Sequence, residues 1–294
     1  MTLVRIETRR GHRYKLDGER VRAVTALIGA GIPRPALVPW AARTTAEYAV
    51  DHWRALAPLV AAGQRDDVVE EIRNASARDR DQAAATGTRV HALAEALAHG
   101  EEVEVPDDLL GYVSAASDFL DDWGLTPVMT EVVVASRQHQ YAGTADLVAQ
   151  LPSGEVALFD YTTSRSGIWP EKALQLAAYR HAETFLDADG AERFVHGLGI
   201  TAAYAVHLRP DGYSVHPVDS GRAAFRLFLD AAAVARGDKA RRALVHPPVD
   251  PARVAGGPLH TVRRRRGTAP ADATVGPSVA VLEPALDEAA EVAA

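Results

Sequence analysis

Three segments dense in valine, leucine and aromatic residues follow one another in the middle of the chain. They are TEVVVASRQ (130–138), YAGTADLVAQL (141–151) and EVALFDYTT (155–163). Turn residues separate them, Pro152-Ser153-Gly154 between the last two, so they read as consecutive paired strands. Pairing the second with the third brings Asp146 and Asp160 close to one end of a hairpin.

Periodic helical patterns precede this strand block at about 35–60 and 64–98, broken by Pro58 and Gly63, and at about 107–123, between Pro106 and Gly124. Trp169-Pro170 starts a further helix, expected to run to about 186, with proline at the first position where its missing N–H costs nothing. Strands are predicted at about 198–208 and 212–218, joined by Pro210-Asp211-Gly212, and then a helix to about 236. Residues 3–24 alternate as short strands around the Asp17-Gly18 hairpin signal. The order predicts an α/β fold, a mixed β-sheet flanked by helices. Three regions are expected: an N-terminal hairpin and helical region (1–85), a core (86–240) and a disordered, charge-split tail (241–294). In that tail, residues 251–270 carry five arginines, including Arg263–Arg266, and no acid, whereas residues 271–294 carry five acids and no base. The arginine run could bind nucleic acid or be neutralised by the acidic end.

Composition narrows the chemistry. With no cysteine there is no disulfide, thiolate zinc site or iron–sulfur cluster. Any metal must be held by carboxylate, imidazole or carbonyl groups, which favours Mg²⁺ or Mn²⁺. No long apolar run spans a membrane, and the N-terminal MTLVRIETRRGHRY lacks an apolar signal core, so a cytoplasmic location is expected. A net charge of −7 argues against coating nucleic acid non-specifically but permits a local basic groove. The stretch Arg5–Arg22, with seven basic and three acidic residues, could supply a backbone contact or be a solvated hairpin face.

Two carboxylates at the ends of paired strands can share one cation. Octahedral Mg²⁺ takes one or two protein carboxylates and keeps water and phosphate oxygens for the rest. Bound there, it would polarise a phosphodiester and make a nucleophile of water near neutral pH. Glu131, GTAD ending in Asp146, FDYTTS beginning at Asp160, and QLAAY from Gln175 to Tyr179 together resemble the core of the PD-(D/E)XK nuclease superfamily. The upstream GTRVHALAE segment, with His91, makes the chain similar to the RecB-like and phage-exonuclease branch, without that branch's iron–sulfur cluster. The resemblance covers roughly residues 86–218 and implies a restriction-endonuclease-like core. It implies His91, Asp146 and Asp160 as ligands of Mg²⁺ or Mn²⁺, and Gln175 and Tyr179 as residues supporting DNA contacts and site geometry. Glu131 would contact a second metal or water, or serve as a structural ion pair. The activity it implies is metal-dependent hydrolysis of DNA, as an exonuclease, in recombination, repair or phage DNA processing, with a possible recombination-protein partner.

One position departs from the pattern. A catalytic lysine belongs two residues after Asp160, and Thr162 stands there. Threonine can neither stabilise phosphate charge nor orient an attacking water as an ammonium does. Lys172 is the candidate replacement: it is one of only three lysines (Lys15, Lys172, Lys239) against 29 arginines, and shares a helix face with Gln175 and Tyr179. Alternatively Lys172 is a solvated lysine paired with Glu171 or Asp160, or a phosphate contact. Arg165 is a second substitute or substrate-binding residue, able to stabilise charge but not to act as a base. The alternative for the whole chain is a catalytically inactive nuclease-fold protein that binds nucleic acid or a protein partner.

Overall fold

A computed structural model of the chain describes residues 2–8 and 11–246. Of the expected tail, residues 247–294, including the Arg263–Arg266 run, lie outside the described residues, whereas Arg241 and Arg242 are not tail but the end of the last described helix. An N-terminal meander of β1 (Leu3–Thr8), β2 (Gly11–Leu16) and β3 (Glu19–Ala23) opens the fold. Asp17 and Gly18 both have positive φ, 51° and 87°, as a two-residue hairpin turn matched to strand twist requires.

Six helices and the central meander follow. They are α1 (Val24–Gly31), α2 (Leu37–Asp51), α3 (Trp53–Ala61), α4 (Arg65–Arg73), α5 (Ala75–Ala98) and α6 (Leu110–Asp122), then β4 (Thr126–Ser136), β5 (Tyr141–Gln150) and β6 (Val156–Thr162). The chain continues through α7 (Glu171–Arg180), β7 (Thr184–Leu186), β8 (Glu192–Phe194), β9 (Ile200–Arg209), β10 (Gly212–Pro217) and α8 (Arg222–Arg242). The architecture is α/β with a mixed sheet: β3–β5 and β6–β9 pair in parallel, the other ladders antiparallel. One apolar cluster packs residues of α1, α7 and α8 against the sheet, among them Leu27, Leu176 and Phe228. Another packs α5 and α6, through Val90, Val113 and Phe119, against Leu147, Phe159 and Leu208. The sheet therefore buries both faces, which is why β5 and β6 read as nearly continuous apolar runs.

Three expectations need correction. The helix expected to reach 186 ends at Arg180, and residues 184–186 become β7, because Thr184 and Phe185 pair with Ala135 and Val134 at the edge of β4. Pro58, expected to break the first helical pattern, lies inside α3, and the pattern divides instead at His52, between α2 and α3. No domain boundary falls at 85/86: α5 runs across it, β3 pairs with β5, and the described residues to Val245 belong to one unit. Among the described residues no helix is long and apolar enough to cross a membrane.

The feature that positions the site is a fork in the sheet. One edge of β5 is paired with β4 along its length except at Asp146, which has no register partner there. Along its other edge β3 takes Tyr141 and Ala142, whereas β6 takes Leu147 to Gln150. Gly143 to Asp146 lie between, where β3 and β6 part, and α7 lies against this gap.

Candidate active site

Asp146 is the last residue of β5 before the β6 ladder begins, and Asp160 is the residue of β6 just beyond its pairing with Leu147. Both carboxylates thus stand at the fork. Asp146 Oδ2 accepts the Tyr161 backbone N–H at 2.7 Å, fixing the carboxylate against the neighbouring strand. The same oxygen lies 3.4 Å from His91 Nδ1, and the His91 ring meets Tyr161 edge-on at 5.8 Å.

Helix α7 supplies the opposite wall. Lys172 donates from Nζ to Asp160 Oδ2 in a very short contact, and reaches the Tyr161 carbonyl at 3.3 Å. Gln175 Nε2 donates to Asp160 Oδ1 at 2.6 Å and to the Tyr179 hydroxyl at 3.2 Å. Residues 172, 175 and 179 follow the three- and four-residue spacing of one helix face, so a single helix brings all three to the fork. The Lys172 side chain is only 17% exposed, which excludes a solvated surface lysine. Its neighbour Glu171 pairs instead with Arg34, at 3.3 Å.

Two glycines permit the close packing. A Cβ at Gly143 would lie 2.5 Å from Tyr179 Cε1, so glycine as the first residue of GTAD lets the tyrosine ring pack directly against β5. A Cβ at Gly87 would lie 3.2 Å from Thr163 Oγ1, so the glycine of GTRVH lets α5 approach the end of β6 and carry His91 to Asp146.

Charge is concentrated and little hydrated here. Burial raises Asp160, Lys172 opposes the rise and Asp146 adds to it, leaving the carboxyl at about 6. Burial would also raise Asp146, but the charge and hydrogen bond of His91, aided by Lys172 and the Tyr161 N–H, hold it below the usual carboxylate range. Burial would lower His91, yet Asp146 outweighs it and lifts the imidazole above its ordinary value.

Glu131 lies on the far side of Asp146. Thr130 pairs with Leu147 and Val132 with Ala145, so Glu131 stands across the β4–β5 ladder from Asp146. Its carboxylate accepts Arg5 Nη1 at 2.7 Å. Its backbone is left-handed, φ 45°. Burial and Asp146 raise its carboxyl, against the pull of Arg5.

Six of the residues singled out in the sequence therefore converge: His91, Asp146, Asp160, Lys172, Gln175 and Tyr179. Tyr179 is 3% exposed and packed in the core, so it supports Gln175 and makes no surface for a substrate. Glu131 borders the cluster as an ion pair. Arg165 does not join it: its side chain is 71% exposed and bonds Asp79 on α5 at 2.7 Å, too far out along the β6–α7 loop to replace the missing lysine. Sequence reading did not single out Tyr14 and Thr144, whose hydroxyls meet at 2.8 Å two residues before Asp146, or pair Arg5 with Glu131. Those contacts span more than 120 residues, and no local pattern announces them.

Among the described residues, no three His, Asp or Glu side chains stand in an arrangement ready to hold a metal ion. Both oxygens of Asp160 face Lys172 and Gln175, so His91, Asp146 and Asp160 are not a preassembled triad. The donor set nevertheless fits a hard divalent cation: a buried carboxylate at Asp160, a largely covered one at Asp146 and an imidazole, already drawing an ammonium and a protonatable ring toward them. A cation at Asp160 would compete with Lys172 for Oδ2.

No protein-family model matches the chain, and no curated protein sequence matches it. Among solved structures, the crystal structure of SSO0001 is 16% identical, with 77% of each chain covered and a TM-score of 0.26. A likeness that slight carries no argument about fold or activity.

Proposed function

We propose that the chain is a metal-dependent deoxyribonuclease, acting as an exonuclease on DNA, in which Lys172 of α7 replaces the lysine missing at position 162. One observation carries this reading: the ammonium of Lys172 is seated on Asp160 and on the Tyr161 carbonyl, beside Asp146, at the fork of β5 and β6. A lysine drawn largely out of water onto a buried carboxylate is costly to keep there unless the charge is used or fully paired.

His91, Asp146 and Asp160 would hold Mg²⁺ or Mn²⁺, which when bound would polarise the phosphodiester and acidify a water molecule. The residues of the chain do the rest. Lys172 carries three N–H donors into the site and can offer one to an incoming phosphate oxygen, countering charge as it builds there. Gln175 fixes the Asp160 carboxylate, and Tyr179 fixes Gln175. The Tyr161 N–H holds Asp146 in one orientation. By the resemblance to the PD-(D/E)XK superfamily, the setting is DNA recombination, repair or phage DNA processing.

A second reading has its own support. With Asp160 fully engaged by Lys172 and Gln175, the fork is a closed ion-pair network, as expected of a nuclease-fold protein that binds DNA or a protein partner without cutting it. Incubation of linear DNA with the protein and Mn²⁺ separates the two. We expect progressive digestion, stopped by chelation and abolished by Asp146→Asn. Salt-dependent DNA binding without cleavage in either Mg²⁺ or Mn²⁺ would establish the second reading instead.

A further inference from the structure

Arg5 and Tyr14 are register partners on β1 and β2, and both reach from the N-terminal meander to the strands that carry the site. Tyr14 bonds Thr144 on β5 and Arg5 bonds Glu131 on β4. Glu131 lies across the β4–β5 ladder from Asp146, between the pairs Thr130–Leu147 and Val132–Ala145, and like charges held near each other repel. In two-metal sites a second divalent cation sits about 3.5–4 Å from the first, and Glu131 would offer such a cation a carboxylate beyond Asp146. Here the positive charge comes from the chain itself. Arg5 is half-buried, and Glu7 and His12 hold its other guanidinium nitrogens, at 2.8 Å to Nε and 3.3 Å to Nη2, so it is fastened in place from both sides.

We propose that Arg5 is a built-in counter-cation for Glu131 where it neighbours Asp146, standing in for a second divalent cation and limiting the number this site takes. Arg5 acts through Glu131 and is a positioning residue, not a catalytic one. The inference rests on the reading of the fork as a cation site, but its test does not require that the protein cleave DNA.

The experiment is Mn²⁺ stoichiometry on the full chain, by titration with electron paramagnetic detection of free Mn²⁺. It compares wild type with Arg5→Gln, Arg5→Lys and Arg5→Gln/Glu131→Gln. Glutamine can still donate a hydrogen bond to Glu131, so Arg5→Gln removes the charge while leaving the meander a partner. The expected result is one more bound Mn²⁺ in Arg5→Gln than in wild type, whatever the wild-type number, and the wild-type number in the other two variants. An equal count in wild type and Arg5→Gln, with both proteins folded by circular dichroism, overturns the proposal. So does a gain that survives Glu131→Gln. If wild type binds none and Arg5→Gln binds one, the role of Arg5 stands and the metal-dependent reading of the fork falls. Should Arg5→Gln not fold, Arg5→Met with the same double-variant control decides the same question.

Discussion

Lys172 and Gly143 show how much a single side chain decides at this fork. Lys172 lies ten positions beyond Thr162 in sequence, yet its ammonium reaches across from α7 to Asp160 and the Tyr161 carbonyl on β6. Gly143 is the other half of that arrangement, since Tyr179 lies where its side chain would be. Gly143→Ala must push the ring or the strand aside, and Tyr179 holds Gln175, which holds Asp160. We expect a loss of about 1–3 kcal/mol in urea unfolding, the usual penalty for overpacking a filled core. An unchanged midpoint would mean that Tyr179 has room to move and does not define the geometry of the fork.

The strands and helices that build the fork were largely legible in sequence, because their signals are local. β4, β5 and β6 announced themselves through runs of β-branched and aromatic residues, and α7 through Trp169-Pro170 and its 3–4 spacing. The end of α7 was not legible: nothing between Arg180 and Leu186 breaks a helix, and only the free edge of β4 turns Thr184 and Phe185 into a strand. The share of the N-terminal meander in the site was hidden for the same reason, since β3 reaches β5 only through tertiary pairing at Tyr141 and Ala142. Arg137 joins these edges, bonding Asp17 in the β2–β3 turn at 2.9 Å and Glu192 on β8 at 2.7 Å. The hydrogen bond from Arg137 holds Asp17 at about 2, and Arg137 likewise lowers Glu192. Carboxyls depressed on folding stabilise the protein above their unfolded pKa, and the gain is lost as pH falls through the folded value. Arg137→Met should therefore lower the unfolding midpoint at pH 6, with the gap to wild type closing as pH falls from about 4 toward 2. A gap that stays constant over that range would show that Arg137 acts by packing alone.

For the chain as a unit, the net charge of −7 makes any attraction to DNA a local matter, and a divalent cation at the fork would be part of it. A cation that binds only the folded protein stabilises it by about 2.7 kcal/mol at one hundred times its Kd. Mn²⁺ should accordingly raise the melting temperature of the wild type and leave Asp146→Asn unmoved; an equal shift in both proteins would place the ion elsewhere. The role of Lys172 is tested most directly by the single-turnover rate of DNA cleavage in Mn²⁺, compared between wild type and Lys172→Ala. The expected result is a fall of about 10²–10⁴-fold, the range for removing a positioned acid–base group, with a smaller fall in Lys172→Arg. Cleavage by Lys172→Ala at the wild-type rate, or a wild type that does not cut until Thr162→Lys is introduced, would contradict it.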